Sequence, residues 1–471
     1  MFRWPRRDGM HRRVVLPGCF LPVCLGGCAT PARPPEASSS VLIVTLDTTR
    51  ADYVSAYGSM RVWTPNLDRL AADGVVFEQA MTVAPLTLPA HCSLFTGLLP
   101  PRHGVRDNAG ASLAASYQTL AEVLQRRGFE TGAFVGSVVL EHGRGLEAGF
   151  DVYSDGITTG RTSSGIGLQR RADQIVDEAI AWLEERDRAP FLLWVHLYDP
   201  HAPYAPPEPF RTAYGDDPYA GEVAFADAQV GRLLDALDGR RRLDRPVVVV
   251  VGDHGESLTE HGETGHGIFI YQNVIRVPLI IRAAGVAPRR VAEVTRLVDV
   301  MPTVLELVAV SSPATDGVSL VATMTGRVGA LDLEAYSESL YPERFGWSPL
   351  RALRAGRFKL IEAPRPELYD LQTDPTEQHN IHATRPAVAT AMSRRLAALA
   401  QLGPTAREGH FYRPARETLE RLAALGYVAA GRTTVDQPGP VLPDPKDHIG
   451  EYSRLARRRH EPRTPTERDL P

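Results

Sequence analysis

Val247-Val248-Val249-Val250-Val251-Gly252-Asp253-His254-Gly255 decides the fold class of this chain. Five consecutive valines with no polar alternation suit a strand covered on both faces, the environment of a central parallel sheet. In such sheets ligands bind just beyond the carboxyl ends of the strands. A carboxylate and an imidazole delivered there by a rigid strand form a ready pair of metal ligands. Alone, the turn fits a loop-capping aspartate equally well.

Two further apolar runs end the same way. Val41-Leu42-Ile43-Val44-Thr45-Leu46 stops at Asp47-Thr48-Thr49-Arg50, and Phe191-Leu192-Leu193-Trp194-Val195-His196-Leu197 runs into Tyr198-Asp199-Pro200-His201. Between them lie segments with helical periodicity: Ala172, Ile175, Val176, Ala179, Ile180 and Leu183 in one, Val223, Ala226, Val230, Leu233 and Leu237 in another. This alternation predicts an α/β fold, with helices flanking a mostly parallel central sheet. It also gathers Asp47, His201, Asp253 and His254 at one edge of that sheet as a polar site.

The 471 residues suffice for one large α/β domain plus a smaller unit, or for two ordinary domains. A net charge of −4 gives the chain no general affinity for nucleic acid. Arg3, Arg6, Arg7, Arg12 and Arg13 precede the apolar stretch Val14 to Leu25, as in an export signal too short to span a bilayer. Leu25-Gly26-Gly27-Cys28 resembles a bacterial lipobox, so residues 1–28 read as a lipoprotein signal, an ordinary signal peptide being the alternative. Lipid on Cys28 would hold the exported chain to a membrane in the periplasm or cell envelope, with Pro-, Ala- and Ser-rich residues 29–39 as tether. Cys92 is then the other cysteine of the exported chain, and no intrachain disulfide is available.

Pro85-Leu86-Thr87-Leu88-Pro89-Ala90-His91-Cys92-Ser93-Leu94-Phe95-Thr96-Gly97 resembles the signature of sulfatases, in the alkaline phosphatase superfamily. There Cys or Ser, any residue, Pro, Ser and Arg precede a short helix ending in Thr-Gly. Counted back from Thr96-Gly97, Thr87 holds the position of the modified cysteine, Pro89 keeps the proline, and His91 stands for the arginine. Cys92 lacks the proline and arginine that formylglycine formation needs, so no formylglycine is expected. Other segments are similar to the family's: Asp47-Thr48-Thr49-Arg50 to its first metal motif, Thr64 to Ala71 to the helix start that follows, Pro200-His201-Ala202-Pro203 to its Pro-His-x-Pro, and Ile275 to Ile281 to a strand beyond the second metal motif, Asp253-His254-Gly255. Val294 to Val308 resembles the helix closing the main domain. Asn108 follows Thr87 by 21 residues, the spacing of an oxyanion-contacting Asn in related phosphonate and phosphodiester hydrolases.

The resemblance implies an alkaline-phosphatase-like fold over residues 40–330 and a small antiparallel C-terminal subdomain over 331–400; the Pro- and Arg-rich residues 401–471 read as a partly disordered tail, with one short helix at Leu419 to Leu425 and a disordered charged run at Arg457-Arg458-Arg459. The subdomain should contain a hairpin centred on Ala355-Gly356 and a strand at Glu367 to Leu371. The resemblance also implies a divalent metal (Ca²⁺, Mn²⁺ or Zn²⁺) held by Asp47, Thr48, Thr87, Asp253 and His254. Thr87 is the expected nucleophile and Asn108 the oxyanion donor; His201 and His266 are acid or substrate ligands, and His91 a substrate contact.

Departures narrow the chemistry. Thr131-Gly132 is followed by Gly136-Ser137-Val138-Val139 where sulfatases carry Gly-Lys-x-His, and the second sulfate-binding lysine, 13 residues past the metal Asp, is His266. A hydroxyl nucleophile needs an activating base or metal, and phosphodiesterases and phosphoethanolamine transferases of the superfamily use threonine in this way. Sulfate esters stay open, but phosphate or phosphonate esters of small molecules, glycans or lipids fit better. A phospho-head-group transferase and a non-catalytic metal-containing glycan- or lipid-binding relative are the alternatives. His201, His266 and Asp199 could hold a second cation, while Glu256, Glu260, His261 and Glu263 read as solvated lid residues. No oligomeric state follows. Mass spectrometry of the peptide holding Thr87 and Cys92 is expected to show both unmodified; an aldehyde at Cys92 or a ketone at Thr87 would contradict this reading.

Overall fold

The computed structural model describes residues 40–156, 161–162, 165–166, 170–186, 190–239, 245–329, 331–404, 410–411, 420, 422–423 and 442–460. The expected signal, its tether and most of the helix read at Leu419 to Leu425 lie outside them. Among the described residues, no helix is long and apolar enough to cross a membrane.

The valine run becomes strand Val247–Gly252, every residue buried. It pairs in parallel with Val41–Leu46, which pairs in parallel with Phe191–Leu197. Glu130–Val135 and then Val152–Ser154 extend the parallel part of this nine-stranded sheet. On the other side Leu279–Arg282 and Val75–Met81 follow; the first is antiparallel to the valine strand and to Val75–Met81.

Both faces are covered, which is why these strands show no polar alternation. Val248 and Val250 pack with Leu42, Val44, Leu193 and Val195 beneath helices Pro65–Asp73, Ala172–Glu184 and Pro218–Asp238. Val247, Val249 and Val251 face the opposite core, with Ile43, Trp194 and helices Thr87–Thr96 and Val300–Leu307.

The closing helix is shorter than expected. Arg289–Arg296 is a strand beside Val75–Met81, and the α-helix begins only at Val300. The β-branched residues of Val294-Thr295 favour the extended backbone. Pro278, which has no N–H to donate, splits the expected downstream strand into Arg276–Val277 and Leu279–Arg282.

A separate antiparallel sheet follows in the order Glu334–Ser339, Leu350–Ala355, Phe358–Glu362, Glu367–Asp370. Helix Pro386–Ala400 contributes Ala389, Met392 and Leu396 to the core. Where a disordered charged end was expected, helix Ile449–His460 includes Arg457–Arg459; its apolar positions Ile449, Tyr452 and Ala456 recur at helical spacing and are buried.

Lys359 is wholly buried with its ammonium 2.6 Å from Glu377, whose other oxygen accepts the Gln272 N–H at 2.6 Å. This joins the small sheet to the segment after the site. Lys359→Met would leave a buried carboxylate without its cation, a loss of roughly 3–5 kcal/mol. A clear fall in the urea midpoint is expected; an unchanged midpoint would show that the pair is dispensable.

Candidate active site

The register of the parallel strands builds the site. Leu46 lies opposite Gly252 and Leu197, so the next residues, Asp47 and Asp253, leave adjacent strand ends together. The Asp47 N–H donates to Leu197 O at 2.9 Å, which fixes where its side chain starts. Asp253 Oδ1 accepts the N–H groups of His254 at 2.7 Å and Thr48 at 3.2 Å, and its Oδ2 has no hydrogen-bond partner. Both Asp47 oxygens and the Thr48 hydroxyl are likewise buried without one. Thr48 holds a left-handed backbone, φ +50°, unusual for a β-branched residue. Tyr219 secures that turn: its hydroxyl donates to Thr48 O at 2.8 Å and accepts the Arg50 N–H at 3.0 Å.

His254 completes the cluster. Its Nδ1 lies 3.0 Å from Gly255 O, so the ring proton sits there and Nε2 presents a lone pair. Nε2 is 3.7 Å from Asp47 Oδ1, 3.6 Å from Asp253 Oδ2 and 3.3 Å from Thr87 Oγ1. Burial pushes the imidazole down to about 3, so it is neutral at physiological pH. Burial pushes both aspartates well above the usual carboxylate range, and the charge of Asp47 adds to the rise at Asp253. Two buried carboxylates, a neutral imidazole and two hydroxyls, several lacking partners, are what a divalent cation requires. Asp47, Asp253 and His254 would hold it, with Thr48 and Thr87 beside them. His91, His196 and Asp253 form a second candidate group, but His91 Nδ1 already faces a carbonyl.

Thr87 opens the fully buried helix Thr87–Thr96. The residue before it, Leu86, gives the helix start no side-chain cap. Asn108 caps it from another loop, its Oδ1 accepting the Leu88 N–H at 2.9 Å. The Asn108 Nδ2 remains buried without a partner, so one side chain orders the helix start and keeps a donor in reserve. Cys92 lies deeper in the helix, fully buried, and burial raises its thiol far above the usual range.

His91 is redirected. Its Nδ1 donates to Thr87 O at 2.7 Å, and its Nε2 accepts from Thr45 Oγ1 at 3.0 Å. Thr45 in turn accepts the Trp194 indole N–H at 3.0 Å. Both ring nitrogens serve the framework, so the expected substrate contact is corrected to a neutral prop beneath Thr87. Burial holds its pKa well below the ordinary value.

His196, inside an apolar strand, carries no site signal of its own in the sequence. Its Nδ1 accepts the Gly136 N–H at 3.3 Å, which leaves the proton on Nε2, 3.3 Å from Asp47 Oδ2. The parallel register sets it beside Thr45. That pairing of polar residues near the ends of two apolar strands was the available signal.

His201 and His266 meet with Nε2 atoms 3.1 Å apart. Their Nδ1 atoms face Ala202 O at 2.6 Å and Pro85 O at 2.9 Å, so the inner nitrogens can hold one proton between them. The His266 ring lies 4.4 Å from that of His254, which brings the pair to the cation cluster. Asp199 does not join: its Oδ2 accepts the Ala172 N–H at 2.7 Å at the start of helix Ala172–Glu184, which corrects its place in a second cation site.

The lid reading also needs revision. Glu256 and Glu263 are buried, and Glu263 accepts the N–H groups of Ile268 and Phe269 at 2.9 and 3.2 Å. Glu260 pairs with Arg50 at 2.6 Å. The chain has two lysines, Lys359 and Lys446, and both pair with carboxylates of the C-terminal part.

A sulfatase family model matches residues 39–310, more than half of the chain. The chain belongs to the sulfatase family. It is thus an ester hydrolase of the alkaline phosphatase superfamily. A second model, N-sulphoglucosamine sulphohydrolase, C-terminal, matches residues 260–401. The chain is 29% identical to a choline-sulfatase of Rhizobium meliloti (strain 1021), over 67% of this chain and 77% of that one. It is 27% identical to an uncharacterised sulfatase of Escherichia coli (strain K12), over 72% and 82%. The phosphonate monoester hydrolase of Agrobacterium radiobacter shares the fold, with TM-score 0.64 and 24% identity over 81% of this chain and all of that one. So does an enzyme solved with D-glucosamine-2-N,6-O-disulfate, with TM-score 0.67 and 22% identity over 78% and 98%.

Because the metal-free fold favours protonated aspartates, these groups stabilise it less as pH rises above the ordinary carboxylate range. A bound cation favours the ionised forms. The melting shift given by Mn²⁺ or Zn²⁺ is therefore expected to grow from about pH 5 to about pH 8 and to vanish in D47N/D253N. A shift insensitive to both would place the cation elsewhere.

Proposed function

We propose that this sulfatase-family hydrolase is metal-dependent and cleaves phosphate or phosphonate esters, with Thr87 as nucleophile. The observation that carries the reading is the Thr87 hydroxyl at a buried helix start, 3.3 Å from His254 Nε2, where the signature otherwise has cysteine or serine. The helix N-terminus favours an anionic group at that position. When bound, a divalent cation supplies Lewis-acid polarisation and favours the threonine alkoxide.

Thr87, its hydroxyl proton passed to solvent, attacks phosphorus and forms the Oγ–P bond as the bond to the leaving oxygen breaks. The proton held between His201 and His266 moves to that leaving oxygen. Asn108 Nδ2 donates to the phosphoryl oxygen that gains charge. Water then attacks phosphorus in line as the Oγ–P bond breaks, the histidine pair takes the water's proton, and the Thr87 oxygen regains its proton from solvent. A sulfated threonine lacks the hemiacetal collapse by which formylglycine expels sulfate, and no lysine replaces the two that bind sulfate. Both points favour phosphorus over sulfur. The substrate is a small-molecule, glycan or lipid ester.

The basic start and apolar stretch of residues 1–28, with Cys28 at the lipobox-like end, support export and lipid attachment in the bacterial envelope.

The purified protein should be assayed with Ca²⁺, Mn²⁺ and Zn²⁺ on phosphonate, phosphodiester, phosphomonoester and aryl sulfate. Phosphorus esters are expected to turn over fastest, and Thr87→Ala to lose on the order of 10³-fold or more in kcat. Full activity in Thr87→Ala would remove it as nucleophile, and aryl sulfate as the best substrate would reverse the preference.

A further inference from the structure

Residues 442–460 lie beyond both family models, yet they reach the loop carrying His266. One end of this segment is bound to the C-terminal sheet region. Arg365 contacts Asp447 at 2.9 and 2.8 Å, and its N–H donates to Asp444 at 3.0 Å. Lys446 donates to Arg365 O at 2.7 Å and pairs with Glu367 at 3.0 Å. His448 stacks on Trp347 with ring centroids 5.1 Å apart.

The other end is helix Ile449–His460. Its Tyr452 hydroxyl donates to the His266 carbonyl at 3.1 Å. Ser453 donates to Gly262 O at 2.7 Å and accepts the Thr264 N–H at 3.1 Å. The Tyr452 ring meets Tyr341 and Phe345 edge-on, at 6.3 and 5.6 Å.

The backbone around His266 needs such support. Gly265 and Gly267, on either side of it, sit at φ +95° and +108°, and glycine there leaves a chain many alternatives. Contacts from outside the loop must choose among them. Those contacts include Pro85 O and His201 on the imidazole, Ser339 on Gly267 O, and Tyr452 on His266 O.

We propose that residues 442–460 are a strap that sets the active-site loop, with Tyr452 and Ser453 as positioning residues that hold His266 against His201. The strap ties the C-terminal sheet region to the proton-carrying pair, so the order of the pair depends on a segment outside the family core. The catalytic consequence rests on the role proposed for His266; the loop's order does not.

The test compares Tyr452→Phe, Ser453→Ala, their double variant, and a chain ending at residue 441, with Glu451→Ala on the exposed side of the helix as control. Hydrogen exchange of residues 260–268 and steady-state kinetics on the best substrate are the readouts. Tyr452→Phe keeps the ring packing and removes only the donor. Exchange of the loop is expected to rise in the variants, with kcat down by about twofold to tenfold and KM changed by less than about twofold. Glu451→Ala should match wild type. Unchanged exchange in the folded double variant would overturn the strap, and faster exchange with unchanged kcat would overturn the positioning role. If the shortened chain does not fold, the point variants decide. Loop exchange does not depend on which side chain attacks, so failure of the Thr87 reading leaves that result standing.

Discussion

Two carboxylates are buried side by side with no lysine or arginine on them among the described residues, and the rest of the site answers that constraint. Parallel pairing of Val41–Leu46 with Val247–Gly252 makes the juxtaposition of Asp47 and Asp253 unavoidable. Their nearest ionisable partners are histidines, and burial keeps His91, His196 and His254 neutral. An uncompensated pair of this kind is expensive in a low-dielectric interior. Protonation or a cation relieves it, and only the cation leaves both oxygen sets available for chemistry.

The fold and the centre of the site were legible because they depend on local pattern. An unbroken valine run announces a strand covered on both faces, and a chain leaving such a strand delivers Asp253 and His254 at a predictable edge. Thr87 is singled out by its spacing from Thr96-Gly97, and one helix, Thr87–Thr96, preserves that spacing. His91 was placed correctly along the chain but not in space. Its direction depends on Thr45 and Trp194, which reach it only after the sheet forms. His196 was hidden because one imidazole in an apolar strand looks like core until register sets it against Asp47. Glu256 and Glu263 looked solvated because their burial comes from tertiary packing, and helix Ile449–His460 was masked by its Arg-rich composition.

The substitutions share a physical direction. Where the resemblance implies an arginine and two lysines, this chain has His91, Ser137 and His266. Fixed positive charge is thus traded for groups that carry or withhold a proton according to their hydrogen bonds. His91 and His254 each give a ring proton to a carbonyl, while His201 and His266 face one another. On the proposed function, such a site would keep less permanent attraction for an anion and rely more on a bound cation and on the Asn108 donor. It suits a nucleophile that needs its alkoxide favoured.

On the proposed function, Thr87 itself accepts the substrate's acidic group. Rapid quenching of a turnover mixture with a phosphonate monoester, followed by peptide mass spectrometry, tests this most directly. A transient phosphonyl adduct on Thr87, absent in the metal-free enzyme, is expected. An adduct on any other side chain, or turnover with none at Thr87 under conditions that make its hydrolysis rate-limiting, would contradict it.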